Sequence, residues 1–279
     1  MKLRILLILV AVLMAGNSFA QDVLDGVYVK EHTTTRTPLA YPHLREADVA
    51  WSKRVWRLID LNEKINLPLR YPRTKDTKDR KSLIDVVLDA VAEGSLTAYS
   101  DEEFVTPLTL TEIYEKGGAR TDTQRLQRPD PPYEEYDTVI AKEFSRDNVI
   151  GYRMKEDWYF EKQRSVMEVR IIGMAPLVLD RNEAGEVREG NVKLPLFWFY
   201  YPEARQLLAN AEVFNRYNDS ERRSFDDVFQ KRMFSSIIIK ESNVANIRIE
   251  DYRTGLNALL ESERIKNEIT NMEHDMWEY

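Results

Sequence analysis

The chain has 279 residues, with 40 Lys and Arg against 47 Asp and Glu, a net charge of −7, 43% hydrophobic residues and no cysteine. That length permits one large domain or two modest ones, with enough apolar mass for a real core. The acidic balance argues against nucleic acid and against an anionic lipid surface, and the absent cysteine excludes disulfides, thiolate nucleophiles and zinc–thiolate sites.

The N-terminus has the build of a cleavable secretion signal. Lys2 and Arg4 precede an apolar run from Ile5 to Ala15, and Ser18 and Ala20 form a small-x-small cleavage site. Cleavage after Ala20 leaves 279 − 20 = 259 residues beginning at Gln21, with the net charge falling from −7 to −9. Gln21 is not cysteine, so the chain is not itself a lipoprotein. No later apolar run approaches the roughly 20 residues of a bilayer span. The expectation is an exported, extracytoplasmic protein with no direct membrane insertion.

Residues 21–45 read as an extended arm, because Pro38 and Pro42 interrupt a polar, threonine-rich stretch without helical period. It is either a flexible leader or a strap that orders on a neighbouring subunit, with Tyr28 and Tyr41 as anchors. A mainly helical region is predicted over 46–118. Its first helix spans about Glu46 to Leu61, where Ala47, Trp51, Val55 and Leu58/Ile59 form a stripe and Trp56 stands off it. Pro68 and Pro72 predict extended chain, and Lys75, Lys78, Arg80 and Lys81 a solvated loop. Ser82 with Asp85 opens a helix that Gly94 closes; Ser100 with Glu103, and Thr109 with Glu112, repeat the capping signature.

Residues 119–137, with Pro129, Pro131 and Pro132, read as a loop or linker. From 138 to 279 the pattern is that of an α+β region ending in a helix. Met167, Val169 and Ile171 alternate as a strand; Val178 and Leu179 lead to a turn at Asn182–Gly185, which predicts a hairpin. Leu196 to Tyr201 is apolar on both faces, as in a central strand. Pro202 and the Ser224/Asp227 pair open two helices, and Ile237–Ile239 and Ile247/Ile249 read as short strands.

A last helix is predicted from Gly255 to His274, with an apolar stripe that changes register. Leu256, Leu259 and Leu260 lie on one side, and Ile265, Ile269, Met272 and Met276 on another. Either the helix bends or its terminal half packs on something else, such as a partner; a frayed tail is the simpler expectation. The fold class is α+β, with a mixed or mainly antiparallel sheet, packed helices, the N-terminal arm and this C-terminal helix.

No catalytic, cofactor or metal site stands out. His32, His43 and His274 have no metal-pair spacing, and no glycine-flanked nucleophile serine or phosphate-cradling loop is present. Carboxylates are the one catalytic group in supply. Glu134/Glu135, Asp157 and Glu161, with Trp158, Tyr159 and Phe160 as stacking aromatics, give an alternative reading as a periplasmic glycan-binding or glycan-hydrolysing protein. Packing of those aromatics into a core is the blander account. The aromatic mass, the arm and the tail fit a protein that works by contact, and Tyr28, Tyr41, Trp56, Met272, Met276 and Trp277 are the partner-contact candidates. A monomeric chaperone for secreted cargo is a third reading.

Three long blocks carry a resemblance. DGVYVKEHTTTRTPLAYPHLREADVAWSKRVWRLIDLNEKINLPLRYP (25–72), FWFYYPEARQLLANAEVFN (197–215) and SFDDVFQKRMFSSIIIKESN (224–243) resemble the gliding-motility GldN/PorN family, in the family's order. The resemblance implies a non-enzymatic component of the type IX secretion system. It implies a periplasmic ring of copies of the chain with a GldK/PorK-like outer-membrane lipoprotein, touching a GldM/PorM-like motor protein, and it transfers no catalytic residue.

Overall fold

The computed structural model describes residues 35–73, 80–127, 135–142, 144–182, 186–188, 190–215, 218 and 220–277. Three long strands form the frame: β1 (Val49–Asp60), β5 (Val149–Glu161) and β6 (Val166–Leu179). β9 (Ile237–Glu241) flanks β1. On the other side β7 (Lys193–Pro195) and β8 (Trp198–Tyr200) pair with different stretches of β6, and β2 (Ala98–Tyr99) lies beyond β8. The order is β2-β8-β6-β5-β1-β9, and every pairing is antiparallel. With its helices, this is the α+β fold expected.

The helix expected over 46–61 is a strand. A 3-10 turn, Glu46–Asp48, runs straight into β1. Ala47, Trp51, Val55 and Leu58/Ile59 satisfy a helical stripe, yet burial follows period two: Val55 and Ile59 pack with different clusters on one face and Trp56 on the other. The alternation is disguised because Lys53 and Arg57 share the face of Val55, where Glu241 and Glu156 neutralise them.

Other expectations fail for equally local reasons. Pro68 sits in the first turn of a short helix, α1 (Leu67–Arg70), where a missing N–H costs nothing. Ser100 and Glu103 open no helix, because Asp101 accepts from the amides of Glu103, Val105 and Thr106 at 3.1, 3.2 and 3.3 Å and holds a turn. Residues 119–137 are not simply loop: β3 (Arg120–Gln127) pairs antiparallel with β4 (Glu135–Lys142) as a separate two-stranded sheet.

The capping signatures that hold do so as written. Ser82 caps α2 (Leu83–Glu93), and Gly94 ends it at φ 75°. Thr109 with Glu112 boxes α3 (Leu110–Lys116), Pro202 lies in the first turn of α4 (Tyr201–Asn210), and Ser224 with Asp227 boxes α5 (Phe225–Gln230). α2, α4 and α5 bury Val87, Leu88, Leu208 and Phe229 against Tyr152, Met154, Met174 and Phe199 of the sheet.

The opposite face is covered differently. Trp56, Ala175 and Trp198 pack there with Phe104 from the loop after β2. Gly173 admits that ring, since a Cβ there would lie 2.3 Å from it. A bulge breaks the register between β1 and β9, where Trp56 faces Lys240 but Arg57 faces Ile238. The extra residue, Ile239, returns Lys240 to the face of Trp56 and leaves Ile238 on that of Val55. β8, with Phe199 in one cluster and Trp198 in the other, is covered on both sides, as its sequence suggests.

The strand expected at Ile247/Ile249 is one helical turn, α6 (Ile249–Tyr252). The Asn243 side chain bonds both the N–H and the carbonyl of Ile247, at 3.0 and 2.8 Å, and Asp251 accepts from the amide of Arg248 at 2.7 Å. Side chains thus take the backbone groups that a strand would offer a neighbour. α7 (Leu256–Trp277) follows and runs unbroken through the residues where a frayed tail was expected.

Candidate interaction surfaces

α7 is fixed to the sheet through its middle, from Ser262 to Ile269. Ile265 and Ile269 are buried among Val55, Ile238 and Ile249. The buried Ser262 hydroxyl accepts from the amide of edge-strand residue Ile238 at 2.8 Å, so the helix answers a backbone group of an edge. Nearby, Glu156 is 0% exposed and holds two guanidiniums, Arg57 at 3.3 Å and Arg232 at 2.9 Å, while accepting the Trp158 indole N–H at 2.8 Å. Burial pushes the Arg57 pKa below the ordinary arginine value, Glu156 opposes that shift and Arg232 reinforces it.

The N-terminal end of α7 does the reverse. Leu256, Leu259 and Leu260 are 71%, 50% and 59% exposed. Their i, i+3, i+4 spacing puts them on one face of the helix. From Leu260 a shallow groove continues along the outward side of α7 through Asn267 to Met272 and Asp275. Because Ile265 and Ile269 lock the same helix onto the sheet, the leucines are presented on a rigid element.

The described part of the arm docks on its own chain. Gln206 donates to the Arg36 carbonyl at 2.9 Å, Arg36 donates to the Arg222 carbonyl at 2.9 Å, and Arg170 donates to that of Pro42 at 2.7 Å. Tyr41 has the Arg205 guanidinium 4.2 Å from its ring centroid and that of Arg170 at 5.1 Å, and its hydroxyl accepts from Gln230 at 2.9 Å. Burial raises the Tyr41 pKa, against the pull of Gln230 and Arg205. Tyr41 is therefore an anchor, but within one chain.

The other candidates fall in three places. Trp56 is 6% exposed; its indole N–H donates to Glu102 at 2.8 Å and the Lys240 ammonium lies 4.1 Å from its ring centroid, so its own chain already engages it. Met272 and Met276 are half-buried on α7. Tyr28 and the side chain of Trp277 lie outside the described residues.

The carboxylates of the glycan reading are occupied or outside the described set. Both oxygens of Asp157 accept from Arg54, at 2.6 and 2.7 Å, and Glu161 pairs with Arg164. The aromatics beside Asp157 spend their polar groups internally: Tyr159 donates to Glu168 at 2.8 Å, as Trp158 does to Glu156. Desolvation and the bond to Glu168 push the Tyr159 pKa to about 12. Glu134 and the Glu135 side chain lie outside the described residues. Among the described residues no group of three His, Asp or Glu converges as a metal site, and no helix is long and apolar enough to cross a membrane.

The family model for the gliding motility associated protein GldN matches residues 44–278. The chain belongs to the GldN family. A comparison with curated proteins returns no match. GldN proteins are components of gliding motility and type IX secretion, periplasmic and structural, and are not known as an enzyme family. That matched span contains every strand of the main sheet and all of α7, so the exposed leucines are part of the GldN body.

The register change in α7 is the one signal of that surface that the sequence offers. It identifies two incompatible stripes and assigns the loose end to the wrong half. Neither stripe says which one a sheet will cover.

Proposed function

We propose that this GldN-family chain is a non-enzymatic scaffold of the type IX secretion and gliding machinery. It is exported with its signal peptide cleaved after Ala20. It assembles in the periplasm into a ring of its own copies with a GldK/PorK-like outer-membrane lipoprotein, and contacts a GldM/PorM-like motor protein. The observation that carries this reading is the leucine face of α7, apolar surface held out on a helix whose middle is pinned. Contiguous exposed apolar groups of this kind are characteristic of contact surfaces. A closed ring needs a heterologous contact, two different patches that meet head to tail. The leucine face is one such patch, with Met272 and Met276 further along the same helix. Since residues 36–42 dock in cis, the strap onto a neighbour is assigned to the part of the arm before residue 35, with Tyr28.

Affinity purification of the chain from envelope membranes, followed by imaging of the particle, tests the reading. The wild-type chain is expected in a multi-subunit particle with a lipoprotein. The triple variant Leu256→Gln, Leu259→Gln, Leu260→Gln is expected to fold normally and to drop out of that particle. A chain that purifies alone, or a triple variant that assembles normally, overturns the proposal.

A further inference from the structure

Between α1, α2 and the start of β5 lies a cavity of about 270 Å³, away from the leucine face. Its inner wall contains Tyr152, which is 1% exposed and whose hydroxyl has no hydrogen-bond partner among the described residues. The same cavity is lined by Arg70, whose buried Nε also has none. Buried polar groups are almost always bonded, and leaving one unbonded costs about 1–3 kcal/mol. Two such groups on one cavity are unusual. An arginine Nε–H only donates, so what satisfies it must be an acceptor, and the phenol donates to the same kind of group.

Charge narrows the class. Asp85, also in the wall, is held by Arg146, which reaches Asp89 as well. Among the described residues neither Arg70 nor Arg73 pairs with a carboxylate; Arg73 and Asp147 are both exposed and offset one another. With Arg146 spent on Asp85 and Asp89, Arg70 is the half-buried guanidinium of the lining that no described carboxylate answers. Burial and the nearby Asp85 both raise the Tyr152 pKa, so the phenol keeps its proton and remains a donor. Leu61, Leu69, Ile84, Phe144 and Val149 give the lining an apolar side, beside Ser82 and Ser145. A fully hydrated anion such as phosphate does not suit that side; an anionic head on a short aliphatic stem does.

We propose that this cavity is a carboxylate-binding site. Tyr152 and Arg70 bond the carboxylate, and the apolar walls receive a stem of a few carbons. Such a group is either a free short-chain acid or the end of a polypeptide.

Calorimetric titration of the purified chain with sodium butyrate, butyramide, and acetyl-Ala-Ala in free-acid and amidated forms tests it. Saturable butyrate binding is expected, with butyramide at least tenfold weaker. Tyr152→Phe and Arg70→Gln are each expected to weaken butyrate about tenfold, the scale of one hydrogen bond to a charged group. Tyr152→Phe should leave the thermal midpoint unchanged or raised, because it removes a hydroxyl with no partner. Free-acid peptide binding tighter than butyrate, with the amide inert, identifies a chain end as the ligand; butyrate binding without peptide binding identifies a small acid. No saturable butyrate binding, equal binding of butyramide, or full binding by Tyr152→Phe overturns the site.

Discussion

Ile265 and Ile269 in the middle of α7 are buried against the sheet, whereas Leu256, Leu259 and Leu260 at its N-terminal end stand 71%, 50% and 59% exposed. Both sets are branched aliphatics of the same size, at the same helical spacing. What separates them is what lies beneath. The middle of the helix meets Val55 and Ile238 and offers a hydroxyl to the amide of an edge strand; the leucines follow directly on the α6 turn and Gly255, and in that first stretch it is Ala258 that packs against the cluster. Hydrophobicity places residues on a helix face, but the neighbouring element decides whether that face becomes core or contact surface.

The comparison breaks most readily where the floor under the buried middle is ionic. Glu156 balances Arg57 and Arg232 with no exposure of its own. Removing its charge strands buried guanidinium charge, and breaking such a set costs about 3–5 kcal/mol. Glu156→Gln is expected to lower the unfolding free energy by that amount, read as a lower urea midpoint with the slope unchanged. A loss below about 1 kcal/mol would mean that water already shares these charges and that the floor is not dry.

Next in size is the apolar contact itself. Ile265→Ala empties a fully buried site and is expected to cost about 2–5 kcal/mol. Protease protection of α7 should fall with it, because the helix has little other apolar purchase on the sheet.

Legibility tracks how local each signal is. Ser82, Thr109 and Ser224 announce their helices because a cap is made by residues three apart, with no help from the rest of the fold. β1 is hidden because its polar residues on the core side, Lys53 and Arg57, are explained only by Glu241 and Glu156 on other strands. The β3–β4 hairpin is hidden in a polar, proline-bearing stretch whose pairing no apolar alternation announces. In the candidate surface, the change of stripe at Leu260 is readable. Which stripe remains outside depends on β9 and α6, which the sequence suggests only in part. The cavity at Tyr152 leaves no trace in sequence at all, since one tyrosine in a strand is like any other until α1 and α2 close around it.

A smaller effect is expected at Ser262. Its hydroxyl accepts the Ile238 amide at 2.8 Å, so Ser262→Ala leaves a buried N–H unbonded, at a cost of about 1–3 kcal/mol. Hydrogen exchange at Ile238 is the direct readout and should accelerate in this variant. Ser262→Thr, which keeps the acceptor, should restore protection provided its methyl finds room.

The smallest stability effect belongs to the exposed end, and it sharpens the contrast most. Glutamine has nearly the helix propensity of leucine, so Leu260→Gln changes surface chemistry with little change in the helix. At a 59% exposed position that touches no core cluster, the expected stability change in the isolated chain is within about 0.5 kcal/mol. Thermal unfolding of Leu260→Gln beside Ile265→Ala then compares the loss of two aliphatic side chains five residues apart on one helix. If Leu260→Gln proved as costly as Ile265→Ala, the leucine face would be supporting the fold in cis. It would then have no apolar area left to offer another subunit, and the division of α7 into a buried middle and a presented end would fail.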